Sequence, residues 1–481
     1  MGQSVSRGTA FLMGSQFVFT LVNYLLHIFL AKYLGPSLYG VFGVLMSMYL
    51  INRNFLNIGI PRAVSKFISE SKENIASIFR TAFKLEMVVA IAFGLIFLFF
   101  APLIAGILHD LSLVKYIRFL AVMVIPLSLI SLYLHGCLNG LKEFKKQALV
   151  KTIYPVLRLI FTLLLVYQGF QIWGVLFGYF IALVIVLIIA IIVCKPLIKK
   201  DKNISKLFPW KKLLYFAIPL TIASFGLTLI RNVNTLFIKS LLMDNTLVGI
   251  YTSAVTLSNV SFVIFAALPL TLLPSVSKSH AAGDIHLTRK YISHSLRYLL
   301  LLLLPIAAII AATSKELIVL FYSANYIQAA PVLSILIFGS TFLSVFITLS
   351  SVIVGIGKPK VQMKLVLLLV VILSILNIIL IPKYGLIGSA LAFSAAALLA
   401  AILSGSYVYH KFKILISMKS LLRILTASAL VLVLAQYWHY SGFYLIITYI
   451  ALYLLYLLVL LLLGEINQAD ISLYRKIFKI K

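Results

Sequence analysis

Long apolar runs, each closed by a short polar or basic connection, recur along the whole chain. Each run holds roughly 18 or more residues, enough to cross about 30 Å of hydrocarbon as a helix. The pattern predicts fourteen spans, near 8–31, 38–60, 79–104, 116–138, 149–167, 172–194, 213–238, 246–272, 292–313, 330–354, 361–381, 386–409, 421–438 and 442–463. The alternation of a membrane barrel is absent, and any other non-helical crossing would leave backbone groups unpaired in lipid. The first run flows into the second without a small-residue cleavage site, so it reads as a span and not a signal peptide. The polar connections, longest near 61–80, 197–212 and 274–290, leave no room for a sizeable soluble domain.

Polar residues inside the spans fall at helical spacing. Gln16, Thr20, Asn23 and His27 share one face of span 1. Ser224, Thr228, Arg231 and Thr235 repeat that spacing in span 7, and Thr252, Thr256 and Asn259 do so in span 8. Tyr154, Arg158 and Thr162 form a short stripe in span 5, and Asn52-Arg53-Asn54 interrupts span 2. Ser and Thr in such stripes commonly serve helix packing. An arginine costs roughly 2.5–3.5 kcal/mol at mid-membrane on the insertion scale, so it should face a wet cavity or a partner.

The two halves of the chain resemble each other. "LGPSLYGVF" (34–42) matches "MDNTLVGIY" (243–251) in position. "GIPRAVSKFISES" parallels "LLPSVSKSHAAGD", "GLKEFKKQ" parallels "GIGKPKVQ", and "GFQIWGVLFGY" parallels "KYGLIGSALAF". The offsets of 209–215 residues predict a six-helix unit used twice: 1–205, then 206–412. Residues 413–481 add two helices and a basic tail. Repeats in parallel orientation are known from transporters.

Charge then fixes an orientation. The chain of 481 residues is 63% hydrophobic and 11% charged, with a formal net charge of +30. Of its 41 Lys and Arg, 32 fall on the side of the N-terminus, six on the other, and three within spans. This asymmetry predicts both termini in the cytoplasm of a cell-membrane protein. The same charges meet anionic membrane lipids, which argues against nucleic acid as the partner. The three intramembrane arginines are Arg53, Arg158 and Arg231. Among the eleven Asp and Glu, only Glu86 lies within a span. Three cations facing at most one acid predict an anionic ligand. Arg158 lies near the midplane, Arg231 in the outer half of span 7, and Arg53 low enough in span 2 to snorkel instead.

Catalytic signatures are missing: no phosphate loop, no H-E-x-x-H, no D-x-D pair. Cys137 and Cys194 are too few for a disulfide framework or metal cluster. No enzyme activity, cofactor or metal is expected. Glu86, with His27 and His135, is the only material for ion coupling inside spans.

"FLAKYLGPSLYGVF" (29–42), "LNIGIPRAVSKFISE" (56–70), the six-helix repeat and two extra spans resemble the prokaryotic polysaccharide transporters, including Wzx-type flippases, of the MOP flippase superfamily. That superfamily also holds lipid II flippases of the MurJ and SpoVB type, MATE exporters and Rft. The resemblance implies an all-α polytopic membrane protein with two six-helix lobes of MATE-like fold around a central cavity, plus two C-terminal helices. It implies a polyprenyl-diphosphate-linked oligosaccharide as cargo, flipped by alternating access. Glycan polymerase or glycosyltransferases would then be partners. Arg53, Arg158 and Arg231 would bind the diphosphate bidentately. Gln16, Asn23, His27, Asn52, Thr228 and Asn259 would meet the sugar hydroxyls, and Glu86 would serve coupling. A lipid II flippase is the nearest alternative, although the extra span 1 arginines of the MurJ branch are missing. A MATE-like exporter would need intramembrane carboxylates, which span 1 lacks. A glycan polymerase would need a large outer loop.

Overall fold

The computed structural model describes residues 5–70, 74–198, 208–265, 267–437, 442 and 444–465. The basic tail after residue 465 and most of the 197–212 connection lie outside these described residues. Within them every regular element is helical. In chain order these are α1 (Val5–Glu70), α2 (Ile75–Phe99), α3 (Ala101–Ile107), α4 (Leu113–Ser131), α5 (Phe144–Leu165), α6 (Gln171–Ile198), α7 (Trp210–Leu242) and α8 (Asn245–Ser258). Then come α9 (Val260–Phe265), α10 (Ala267–Ala281), α11 (Ile285–Ala312), α12 (Ser314–Phe321), α13 (Ala329–Gly355), α14 (Pro359–Phe412), α15 (Met418–Tyr437) and α16 (Tyr444–Leu462).

Eleven helical stretches among the described residues are long and apolar enough to cross a membrane. Three of them, Phe11–Glu70, Phe144–Ile198 and Pro359–Phe412, run 60, 55 and 54 residues. Straight helices of that length would reach about 80–90 Å, far beyond the hydrocarbon thickness. Each is instead broken at a glycine of positive φ: Gly35 (72°), Gly169 (91°) and Gly385 (57°). A left-handed glycine ends one helix and, at the first break, Pro36 is preset to begin the next. The arms fold back on each other. His27 and Tyr39 hydrogen-bond at 2.8 Å across Gly35. A Cβ on Gly178 would strike Thr162 across Gly169. Ser389 Oγ donates to Asn377 Oδ1 at 3.0 Å across Gly385. Each long stretch therefore supplies two crossings, which gives the fourteen that the apolar pattern predicts.

The chain forms two compact units, Met1–Thr252 and Ser253–Lys481. This division differs from the sequence-repeat boundaries at 205/206 and 412/413. The reason is that α7 packs along α1 and so belongs to the first unit. In that unit α8 also meets α1 at a crossing without side chains. A Cβ on Gly40 would land on the Asn245 carbonyl, and one on Gly249 on the Pro36 carbonyl. Pro36 and Asn245, like Gly40 and Gly249, stand 209 positions apart. Residues at matching positions of the two similar segments thus make reciprocal contacts, the arithmetic of a two-fold interface.

The second unit is centred on Leu272, Val276, Ile292, Leu349, Ile353 and Val408. A neighbouring cluster seats α15 and α16 on α11 through Ile424, Val431, Leu452 and Tyr456. Beyond α16, Glu465 accepts from Arg297 Nε at 2.7 Å and from Ser420 Oγ, and lies 3.5 Å from Arg423.

Because backbone faces backbone at the α1–α8 crossing, Gly40→Ala and Gly249→Ala should each destabilise by about 1–3 kcal/mol through overpacking. Gly14→Ala, where a Cβ meets nothing within 4 Å, should not. Thermal unfolding in detergent, followed by circular dichroism, checks this. Equal melting temperatures for all three variants and the parent would refute the packing argument.

Candidate substrate-binding cavity

The first unit holds a cavity of 410 Å³ lined by α1, α4, α5 and α6. Three cations reach it: Arg53 and Arg62 from α1, and Lys151 from α5. Arg53 and Arg62 reach the cavity from the two margins of the α1 stretch that lines it, because α1 remains helical through Glu70, past the end of the apolar run. Asn54 and Asn57 line the cavity from that stretch too. A π-helical turn, Leu132–Leu138, continues α4 and carries His135 into the lining. Such turns shift side-chain register and recur at functional sites. Among the described residues, no carboxylate lines the cavity.

The polar groups are only partly committed. Lys151 Nζ donates to Gln16 Oε1 at 2.9 Å. The Tyr154 and Tyr49 hydroxyls lie 2.9 Å apart. Arg53 Nε and Asn57 Oδ1 have no hydrogen-bond partner among the described residues. The Arg53 guanidinium lies 5.7 Å from the Phe19 ring centre, a cation–π distance. Unpaired cations beside free amides suit a multiply charged anion carrying hydroxyl groups.

The family model described as polysaccharide biosynthesis protein matches residues 5–280, a stretch that contains this cavity. The chain belongs to that family. A MatE family model matches residues 219–382, and the chain falls within the MOP flippase superfamily. The chain is 24% identical to the lipid II flippase MurJ of Bacillus subtilis, over 89% of this chain and 87% of that one. It is 26% identical to a probable low-salt glycan biosynthesis flippase, Agl15, of Haloferax volcanii, over 34% and 36%. Its fold matches a solved structure of lipid II flippase MurJ in an inward closed conformation, with TM-score 0.79, 18% identity, and 95% and 98% coverage. Proteins of this family and fold are flippases and transporters, not enzymes.

The sequence-predicted residues are distributed unevenly around the cavity. Arg53 and Gln16 line it. Arg158 does not: it is fully buried, donating from Nη2 to Asn23 Oδ1 at 2.9 Å. Its guanidinium lies 4.9 Å from the Tyr179 ring centre and 5.6 Å from those of Tyr154 and Phe19. Phe19 therefore has both guanidiniums within cation–π distance of its ring. Arg231 is exposed on α7 and is not part of the lining, although Tyr24 and Arg53 lie within its electrostatic reach. His27 is taken up by Tyr39 and packs edge-on to Phe42, so it ties a hairpin instead of lining the cavity. Asn52 is buried with Oδ1 unpartnered, one position from Arg53 but outside the lining. Thr228 Oγ1 donates to the Ser224 carbonyl at 3.0 Å. Asn259 belongs to the second unit, at the break between α8 and α9. Glu86 lies in a separate cavity.

Arg62, Lys151 and His135 were not among the sequence-predicted ligands. Counting charges by side assigns Arg62 and Lys151 wholly to topology. Continuing the helical face of Asn54 and Ile58 by one more turn would have reached Arg62.

Asp110 and Lys239, isolated in the sequence, are partners. Lys239 is 1% exposed and donates from Nζ to Asp110 Oδ2 at 2.9 Å. Asn245 Nδ2 donates to the same oxygen at 3.1 Å, and Ser112 donates to the other. Burial alone would raise the Asp110 carboxyl, but these hydrogen bonds and the Lys239 charge outweigh it and hold it below its ordinary value. A depressed carboxyl stabilises the fold above its unfolded pKa and loses that contribution as pH falls through its folded value. Asp110→Asn should therefore lower the melting temperature at neutral pH, and the gap from the parent should close in strong acid. Lys239→Met, which strands a partly buried carboxylate, should cost about 3–5 kcal/mol at neutral pH. Melting curves taken across pH check both.

Proposed function

We propose that the protein is a flippase that carries a polyprenyl-diphosphate-linked oligosaccharide from the inner to the outer leaflet of the cell membrane, for surface polysaccharide or glycan synthesis. The observation that carries this reading is the cavity with Arg53, Arg62 and Lys151 and no carboxylate in its described lining. A diphosphate bears the charge such a site lacks, and arginine binds it in bidentate fashion. Gln16, Asn54 and Asn57 would take sugar hydroxyls, while the lipid tail stays in the bilayer. Arg158 and Arg231 would act deeper along the path. The 32-to-6 distribution of basic residues supports both termini in the cytoplasm, with Arg62 at the entry side. The reciprocal Gly40–Gly249 contact supports a duplicated six-helix ancestor for 1–205 and 206–412.

A second cargo, lipid II, is favoured by the likeness to the Bacillus subtilis flippase across nearly the whole chain. It shares the polyprenyl diphosphate and differs in the sugar.

Arg53→Gln and Lys151→Gln should each lower the rate of head-group translocation in proteoliposomes by about 10- to 100-fold, the worth of a lost charge-assisted hydrogen bond. Ser277→Ala, an exposed residue of the second unit, should leave it unchanged. Unaltered translocation in the cation variants would refute the cavity as the cargo path. Complementation of strains lacking a glycan flippase or a lipid II flippase separates the two cargoes.

A further inference from the structure

A second cavity, of 190 Å³, lies between α1, α2 and α7 in the first unit. Its walls are almost wholly apolar: α1 gives Phe55, Gly59 and Ile60, and α7 gives Ala217, Ile218 and Thr221. Into it α2 places Glu86, 1% exposed, with neither carboxyl oxygen hydrogen-bonded among the described residues. Among the described residues, no other charged or titratable side chain lines it. On its own helix, Arg80 and Lys84 are exposed. Lys211 and Lys212 of α7 are exposed at the helix start. Next to Glu86, α4 packs on Ala90 through Val124, and Tyr133 of the π turn packs on Phe79.

A carboxyl in such a space must be accompanied by a cation. A hard metal ion asks for about six oxygen ligands. The lining offers the two Glu86 oxygens and Thr221 Oγ1, whose proton is committed to the Ala217 carbonyl at 3.0 Å. That set is too small for a metal, whereas a proton needs one oxygen.

The wall between this cavity and the cationic one is a single stretch of α1. Phe55, Gly59 and Ile60 face Glu86, while Arg53, Asn57 and Arg62 face the other cavity. Glu86 therefore lies one helix width, about 10 Å, from the cationic lining, within reach of its charge.

We propose that Glu86 is a proton-binding site that controls anion binding in the neighbouring cavity through this shared wall. The proposal rests on the cavity being the anion site. Ionised Glu86 competes with the anion for Arg53 and Arg62, and protonated Glu86 leaves them free. The step is one proton: an O–H bond forms at Glu86 with a proton drawn from water as the anion binds, and it breaks as the anion leaves. By reciprocity the anion favours protonation as much as the proton favours the anion.

The test uses the full chain in nanodiscs, with farnesyl diphosphate as probe, titrated calorimetrically in buffers of different ionisation enthalpy. The parent should take up about half a proton more per probe bound than Glu86→Gln, at the pH where Glu86 titrates. Its affinity should weaken on the order of tenfold as pH rises, relative to Glu86→Gln. Protons taken by the probe itself cancel in this comparison. Glu86→Asp should restore the parent behaviour, which excludes misfolding as the cause. Equal proton uptake by parent and Glu86→Gln overturns the proposal. Infrared difference spectra without probe supply the separate arm: a carboxyl band that titrates in the parent should vanish in Glu86→Gln. No such band overturns the proton site, whereas a band without any probe binding overturns the anion cavity instead.

Discussion

A guanidinium placed in hydrocarbon without a carboxylate is the constraint around which the first unit is arranged. Arg158 meets it with an amide oxygen from Asn23 and the faces of Tyr179, Tyr154 and Phe19. Those rings belong to several helices, so one charge draws α1, α5 and α6 together. Phe19 then lies within cation–π distance of both this enclosed cation and the open, wet one at Arg53. The positive charge is graded: sealed at Arg158, shared at Arg53, and exposed at Arg62.

Much of the fold is legible in the sequence because lipid leaves few options. Apolar length and unpaired-backbone cost together dictate helices, and glycine followed by proline at 35–36 marks a reversal. The division into units was not legible, because compactness records which helices touch. The side-chain partners of α7 decide its unit, and those contacts lie far apart in sequence. Within the site, Arg53 was legible because polarity inside an apolar run is conspicuous. Arg62 and Lys151 were hidden by the abundance of basic residues on their side. His27 misled because helical spacing reports a shared face, not what that face meets; a tyrosine twelve residues on takes it up.

The two ends of the first unit are built from opposite materials. At one, Arg53 Nε and Asn57 Oδ1 lack hydrogen-bond partners among the described residues beside a cavity with no carboxylate in its described lining. At the other, Asp110, Lys239 and Asn245 satisfy one another beside a crossing where α1 and α8 meet backbone to backbone. Close packing and satisfied charge make that end stiff, while unsatisfied charge makes the first receptive. A carrier needs this difference in at least one of its states, since cargo must be admitted at one end while the other stays shut.

The contact at Glu465 also has a consequence for how the chain is made. Arg297 stays without its carboxylate until the ribosome has added 168 further residues, and Arg423 waits for the same group. A chain cut before Glu465 would leave both guanidiniums and Ser420 without that acceptor. The contact therefore ties α11 and α15 together only after α16 has been made. Folding of the second unit is in this respect a late event, set by a residue far along the chain from the arginine it neutralises.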